Sequence, residues 1–173
     1  MIDSDGPVRT GHEPAEEFPI YSHGARECML NLVRAHMLVR PQLEAMLRHF
    51  DLNGGAFNVL MILRSAEAPL QPYVIGERAL VTRSAITAIL AKLERQELIS
   101  RATHPTDRRM FLIEITPRGH ELAERILPHA FRLEHTIFSC LTAEEQETLI
   151  VLLGKVEQRA RQVEAAQSVD LLE

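Results

Sequence analysis

Apolar positions fall at helical spacing twice before residue 65. Between about Ser22 and Phe50, the residues Met29, Leu32, Val33, Met37, Leu43, Met46, Leu47 and Phe50 recur mostly at intervals of three and four. That spacing gathers side chains on one helix face, and it predicts one long helix or two halves. Pro41 lacks a backbone donor and crowds the preceding turn, so a kink near Arg40 is expected. Asn53, Gly54 and Gly55 then interrupt the pattern before Phe57, Leu60, Met61 and Leu63 set a shorter apolar helix that ends ahead of Pro69.

Two short helices are predicted next, over about 72–79 and 83–96, separated by Val81 and Thr82. The Thr82 hydroxyl is placed to accept an orphan amide of the second one. On that second helix Ile86, Ile89, Leu90 and Leu93 share a face, while Arg83, Ser84, Thr87, Ala88 and Ala91 lie opposite. The outward set is mostly small and polar rather than long and charged, which suits a helix meant to lie close against another surface. After Leu98 the period becomes extended. Strands are predicted over 98–102 and 110–116, with Thr103-His-Pro-Thr-Asp-Arg-Arg109 making a hairpin with a basic tip. Pro117-Arg-Gly opens a further helix, and Thr142-Ala-Glu-Glu145 is a capping box for a last one, striped by Leu149, Leu152, Leu153, Val156 and Val163.

Composition narrows the class. A chain of 173 residues suffices for one domain with terminal extensions. Residues 1–20 hold three prolines and five acids against one arginine, the make-up of a mobile tail, and nothing in them resembles a secretory leader. No apolar run reaches membrane-spanning length, so a cytoplasmic protein is expected. The two cysteines, Cys28 and Cys140, have neither CxxC nor metal-ligand spacing. The eight histidines include no His-x-x-x-His pair, so no metal or cofactor is expected. There is no Gly-rich phosphate loop, nucleophile elbow or HExxH, and hence no sign of an enzyme.

The net charge is −5, yet seven basic residues stand against three acidic ones between Arg78 and Arg109. A basic patch on an acidic protein fits a phosphate-bearing partner, although a solvated charged face gives the same count.

The run VTRSAITAILAKLERQELISR (81–101), followed by TDRRMFLIEITPRGHEL (106–122), resembles the MarR family of transcriptional regulators, a likeness extending over roughly residues 25–160. It implies a mainly α fold: a winged helix-turn-helix with a small antiparallel β wing, between N- and C-terminal dimerisation helices. The expected organisation is a flexible acidic tail over 1–21, an N-terminal dimerisation helix over 22–52 and the DNA-binding domain over 53–118. C-terminal dimerisation helices over 119–166 and a flexible tail over 167–173 complete it. The implied function is a ligand-responsive regulator, a repressor by expectation, that binds double-stranded DNA as a homodimer.

A helix in the major groove reads bases with side chains near its N-terminus. Thr82, Arg83, Ser84, Ala85, Thr87 and Ala88 occupy that end, with Lys92 further along. Arg108 and Arg109 at the hairpin tip suit the negative potential of a narrow minor groove, and the family pattern has Asp107 orient Arg109. Plainer readings stand beside these: Thr82 as a cap, Arg83 and Lys92 as solvated charges, the tip as an ordinary polar turn. Glu97 departs from the pattern, which has glycine there, so either another cap or left-handed strain is expected.

The resemblance also implies a cleft for a small aromatic or phenolic ligand, for which His36, Met37, Arg40, Phe57, Met61 and Phe111 are candidates; ordinary core packing explains such residues equally well. Thiol sensing through Cys28 is a further option, against which the plainer reading is a buried, inert cysteine. The alternative to DNA binding is a winged-helix module for protein contacts.

Overall fold

The computed structural model describes residues 6–9, 22–79, 81–103 and 110–170. Its elements run α1 (His23–Arg48), α2 (Gly54–Arg64), α3 (Pro72–Ala79), α4 (Arg83–Arg95), β1 (Ile99–Thr103), β2 (Phe111–Ile115), α5 (Pro117–Phe138) and α6 (Ala143–Asp170). The fold is mainly helical with one small antiparallel sheet. It divides into two compact units, Met1–Ala130 and Phe131–Glu173, so the first half of α5 belongs with the preceding elements and not with a separate C-terminal part starting at 119.

α1 is one helix through Pro41. Only its last third reaches the core, where Leu47 is fully buried and Leu43 and Met46 pack alongside. Further back the apolar stripe is uncovered, with Met37 67% exposed. The helix closes at Asp51, a left-handed residue with φ 54°. The Asp51 amide donates to the Arg48 carbonyl and the Leu52 amide to the Leu47 carbonyl, both at 3.2 Å, which is the Schellman closure. Asn53 then caps α2, its Oδ1 accepting from the Ala56 amide at 2.9 Å.

Leu47, Leu60, Ile75, Leu93, Ile113 and Ile126 form the centre of one apolar cluster drawn from α1, α2, α3, α4, β2 and α5. Burial of these side chains is the main driving force for bringing the helices together. The strands pair in the register Ile99 with Ile115, Arg101 with Ile113 and Thr103 with Phe111, and β1 begins one residue later than the apolar pattern suggested. Leu70 adds an isolated antiparallel bridge to β2, exchanging backbone bonds of 2.9 and 2.8 Å with Ile113. In the second unit Thr142 and Glu145 form the expected capping box, at 2.8 and 3.2 Å.

Three expectations need correcting. Gly6–Arg9, assigned by composition to a mobile tail, lie along α1. Val8 exchanges two bonds with the Asn31 amide (2.7 and 3.0 Å), and Arg34 donates to the Gly6 carbonyl at 3.1 Å. Arg9 pairs with the buried Glu27 at 2.8 Å. An extended backbone lacks partners of its own, and a helical asparagine can supply both a donor and an acceptor to it; composition carries no trace of that match. At the other end α6 continues to Asp170, through most of the expected tail at 167–173. Cys28 is exposed in the single chain, not buried, because α1 presents much of its surface outward; Cys140, between α5 and α6, is exposed as well.

Candidate nucleic-acid interface

α3 and α4 meet at a glycine. A Cβ on the buried Gly76 would lie 3.7 Å from Ile86 Cγ2, ordinary contact distance, and the Val81 amide donates to the Gly76 carbonyl at 3.2 Å. The turn that follows leaves Thr82 extended at φ −65°, ψ 159°. Its hydroxyl accepts from the Ala85 amide at 3.2 Å and shares a hydrogen bond with the Ser84 hydroxyl at 3.1 Å. Thr82 therefore caps α4 and also orients its neighbour.

α4 buries Ile86, Leu90 and Leu93. Ser84, Thr87 and Ala88 are exposed and Ala85 is half-buried. Helical spacing places Ser84, Ala88, Ala91 and Arg95 on one face. Arg95 is exposed, and it makes no ion pair among the described residues. It extends the outward face by a further turn and was counted in the basic patch without being assigned to the site; the 84, 88, 91, 95 spacing carried the signal. The side chain of Arg83 and the whole tip with Asp107, Arg108 and Arg109 lie outside the described residues.

Two cations of the patch are engaged internally. Lys92 Nζ donates to the Asp51 carbonyl at 2.7 Å and meets its carboxylate at 3.3 Å. Arg101 pairs with Glu94 at 2.9 Å and lies 6.0 Å from the Phe111 ring centroid. Lys92, read from sequence as a DNA contact, thus has a partner 41 residues away in the chain.

The entry to and exit from the sheet are fixed by Glu97, Thr116 and Gly119. Glu97 is left-handed at φ 59°. Its amide donates to the Glu94 carbonyl at 2.9 Å and the Leu98 amide to the Leu93 carbonyl at 3.0 Å, so α4 ends in the same Schellman closure as α1. Of the two expectations for Glu97, left-handed strain is the one realised. The Thr116 hydroxyl donates to the Glu97 carbonyl at 2.7 Å and accepts from the Gly119 amide at 3.0 Å.

Of the candidate ligand residues, His36, Arg40, Phe57 and Met61 line one groove of about 480 Å³ between α1 and α2. Leu43 and Asn58 also line it; they follow from the same faces one turn along. Met37 and Phe111 do not line it. Among the described residues no group of three or more His, Cys, Asp or Glu converges, and no helix is long and apolar enough to cross a membrane.

The MarR family model matches residues 50–110. The HTH-type transcriptional regulator MhqR of Bacillus subtilis is 35% identical over 133 residues, covering 76% of this chain and 90% of its own. The HTH-type transcriptional repressor YetL of the same organism is 29% identical over 148 residues, 85% of this chain and 89% of its own. A cysteine-to-serine variant of MarR from E. coli, solved with operator DNA, has a TM-score of 0.65 and 27% identity, covering 82% of this chain and 96% of that one. By this likeness the chain belongs to the MarR family of winged helix-turn-helix transcriptional regulators.

Proposed function

We propose that the protein is a ligand-responsive repressor that occupies a pseudo-palindromic operator as a homodimer. In this reading it acts in the cytoplasm by occupancy of DNA and not by catalysis. The N-terminal half of α4 enters the major groove, and the 104–109 tip, with Arg108 and Arg109, follows the minor groove. The observation that carries this is the outward face of α4: Ser84, Thr87 and Ala88 stay exposed on a helix whose other side is locked into the core. Side chains this short let a helix backbone approach base edges, and hydroxyls can donate or accept there. The MarR–operator complex and the name of YetL as a repressor support the same direction.

Dimerisation is supported by apolar surface left exposed among the described residues. Met29, Val33 and Met37 on α1 are exposed, as are Leu152, Val156 and Val163, which share a face of α6. A two-fold protein reads a two-fold site, with half-sites about 10 bp apart. The groove beside Phe57 and Met61 is the place for a small aromatic anion, with Arg40 available to its charge.

The test is selection of bound duplexes from a random pool, followed by addition of phenolic carboxylates to the complex. A recurring pseudo-palindrome released by such a compound fits the proposal. Absence of any salt-sensitive binding would point instead to a protein-contact module.

A further inference from the structure

α4 is held at both ends, and the restraint at its C-terminal end comes from a residue between α1 and α2. Asp51 lies in the left-handed region, which an aspartate tolerates better than most side chains. Its carbonyl accepts from Lys92 Nζ at 2.7 Å and from Gln96 Nε2 at 3.3 Å. The two carboxylate oxygens take the same donors, Oδ1 from Lys92 at 3.3 Å and Oδ2 from Gln96 at 2.8 Å. One exposed residue thus meets two side chains four residues apart, Lys92 on the last turn of α4 and Gln96 at its C-cap.

The grip dictates the orientation of the Gln96 amide. Both Asp51 groups are acceptors, so the amide must turn its NH2 toward them, even though its own Oε1 is then buried with no hydrogen-bond partner among the described residues. Lys92, four residues after Ala88, lies at the edge of the Ser84–Ala88–Arg95 face, and Gln96, one turn further, lies on the flank next to the half-buried Ile89. Asp51 follows directly on the part of α1 that enters the core.

We infer that Asp51 is a positioning residue for operator reading: through Lys92 and Gln96 it fixes the set of α4 against the end of α1, so that movement of α1 is passed to the DNA-reading helix. This rests on the DNA-binding reading. It takes Lys92 out of direct phosphate contact, and it gives α1 and α4 a mechanical link independent of any ligand in the groove.

The experiment measures operator affinity against salt for the full chain and for Asp51→Ala, Lys92→Met, Lys92→Arg and the Asp51→Ala/Lys92→Met double variant, using a duplex selected from a random pool. Binding of that duplex by the unaltered chain tests the DNA-binding reading separately. Each of Asp51→Ala and Lys92→Met should weaken binding by roughly two- to thirtyfold, the double variant should be no worse than either, and Lys92→Arg should retain most of the affinity. The salt slope should stay unchanged throughout. A slope reduced by about one counterion per subunit in Lys92→Met, with Asp51→Ala neutral, makes Lys92 a phosphate contact and overturns the inference. Additive losses, or no loss in any variant, overturn it as well.

Discussion

A Cβ on Gly119 would lie 2.1 Å from the carbonyl oxygen of Leu98 and 2.7 Å from Ile115 Cγ1. The same Leu98 carbonyl accepts from the Thr116 amide at 3.1 Å, so neither the start of α5 nor the entry to β1 can retreat without breaking the other. The Thr-x-x-Gly step at 116–119 is therefore a packing requirement: threonine caps the helix, and glycine lets it pass the strand. Gly119→Ala is expected to destabilise the protein by at least ~3 kcal/mol, in the range of severe overpacking against backbone. Urea denaturation checks this, and a loss below about 1 kcal/mol would mean that α5 can shift.

The left-handed Glu97 calls for the opposite change. Relief of a non-glycine residue at positive φ is worth roughly 1–2 kcal/mol, offset by the extra freedom of glycine in the unfolded chain and by loss of the exposed pair with Arg118 at 2.9 Å. Glu97→Gly should raise stability by ~0.5–1 kcal/mol, whereas Glu97→Ala, which keeps the Cβ, should not. Thermal unfolding of the two variants beside the parent decides it; equal behaviour of glycine and alanine would remove strain as the cause.

These two positions also mark what the amino-acid sequence discloses. The absence of glycine at 97 is visible in the chain, and its consequence, strain and not a different cap, needed only φ. The Thr82 cap and the 142–145 capping box are legible because their partners lie three residues away, and the buried face of α4 because helical periodicity alone marks it. Lys92 misled because its partner is 41 residues away, and no local periodicity announces a carbonyl turned toward it. The seating of Val8 on Asn31, 23 residues apart, was hidden for the same reason. Met37 was grouped with Phe57 and Met61 as a pocket residue through the family resemblance; next to His36 in the chain, it is turned about 100° round α1 from it and does not line the groove.

Leu152 and Val156 are each 52% exposed in the single chain and sit one turn apart on α6. A Leu152→Glu/Val156→Glu variant should remain folded, since neither side chain is needed in the core of its own unit, but two charges in a self-complementary apolar contact should break the dimer. Sedimentation at micromolar concentration, with circular dichroism as the control for folding, tests this. An intact dimer would place the interface elsewhere.

The wing tip and α4 should fail differently. Arg109→Ala removes a cation assigned to the minor groove, so affinity should fall for most sequences and the salt slope should shrink by about one counterion per subunit. Ser84→Ala or Thr87→Ala should instead cost about 1–3 kcal/mol at one base-pair position with little change in slope. Binding titrations at several salt concentrations, on matched and single-substituted duplexes, separate the two patterns. Identical profiles for the three variants would contradict the division of labour.

Methylation interference on the selected duplex tests most directly whether two copies of α4 read successive major grooves. Methylation of guanine N7 obstructs the major groove alone, so interference should appear in two windows about 10 bp apart on one face of the DNA, related by the pseudo-dyad. A single window, or binding indifferent to N7 methylation, would contradict the proposal that a dimer reads the operator through α4.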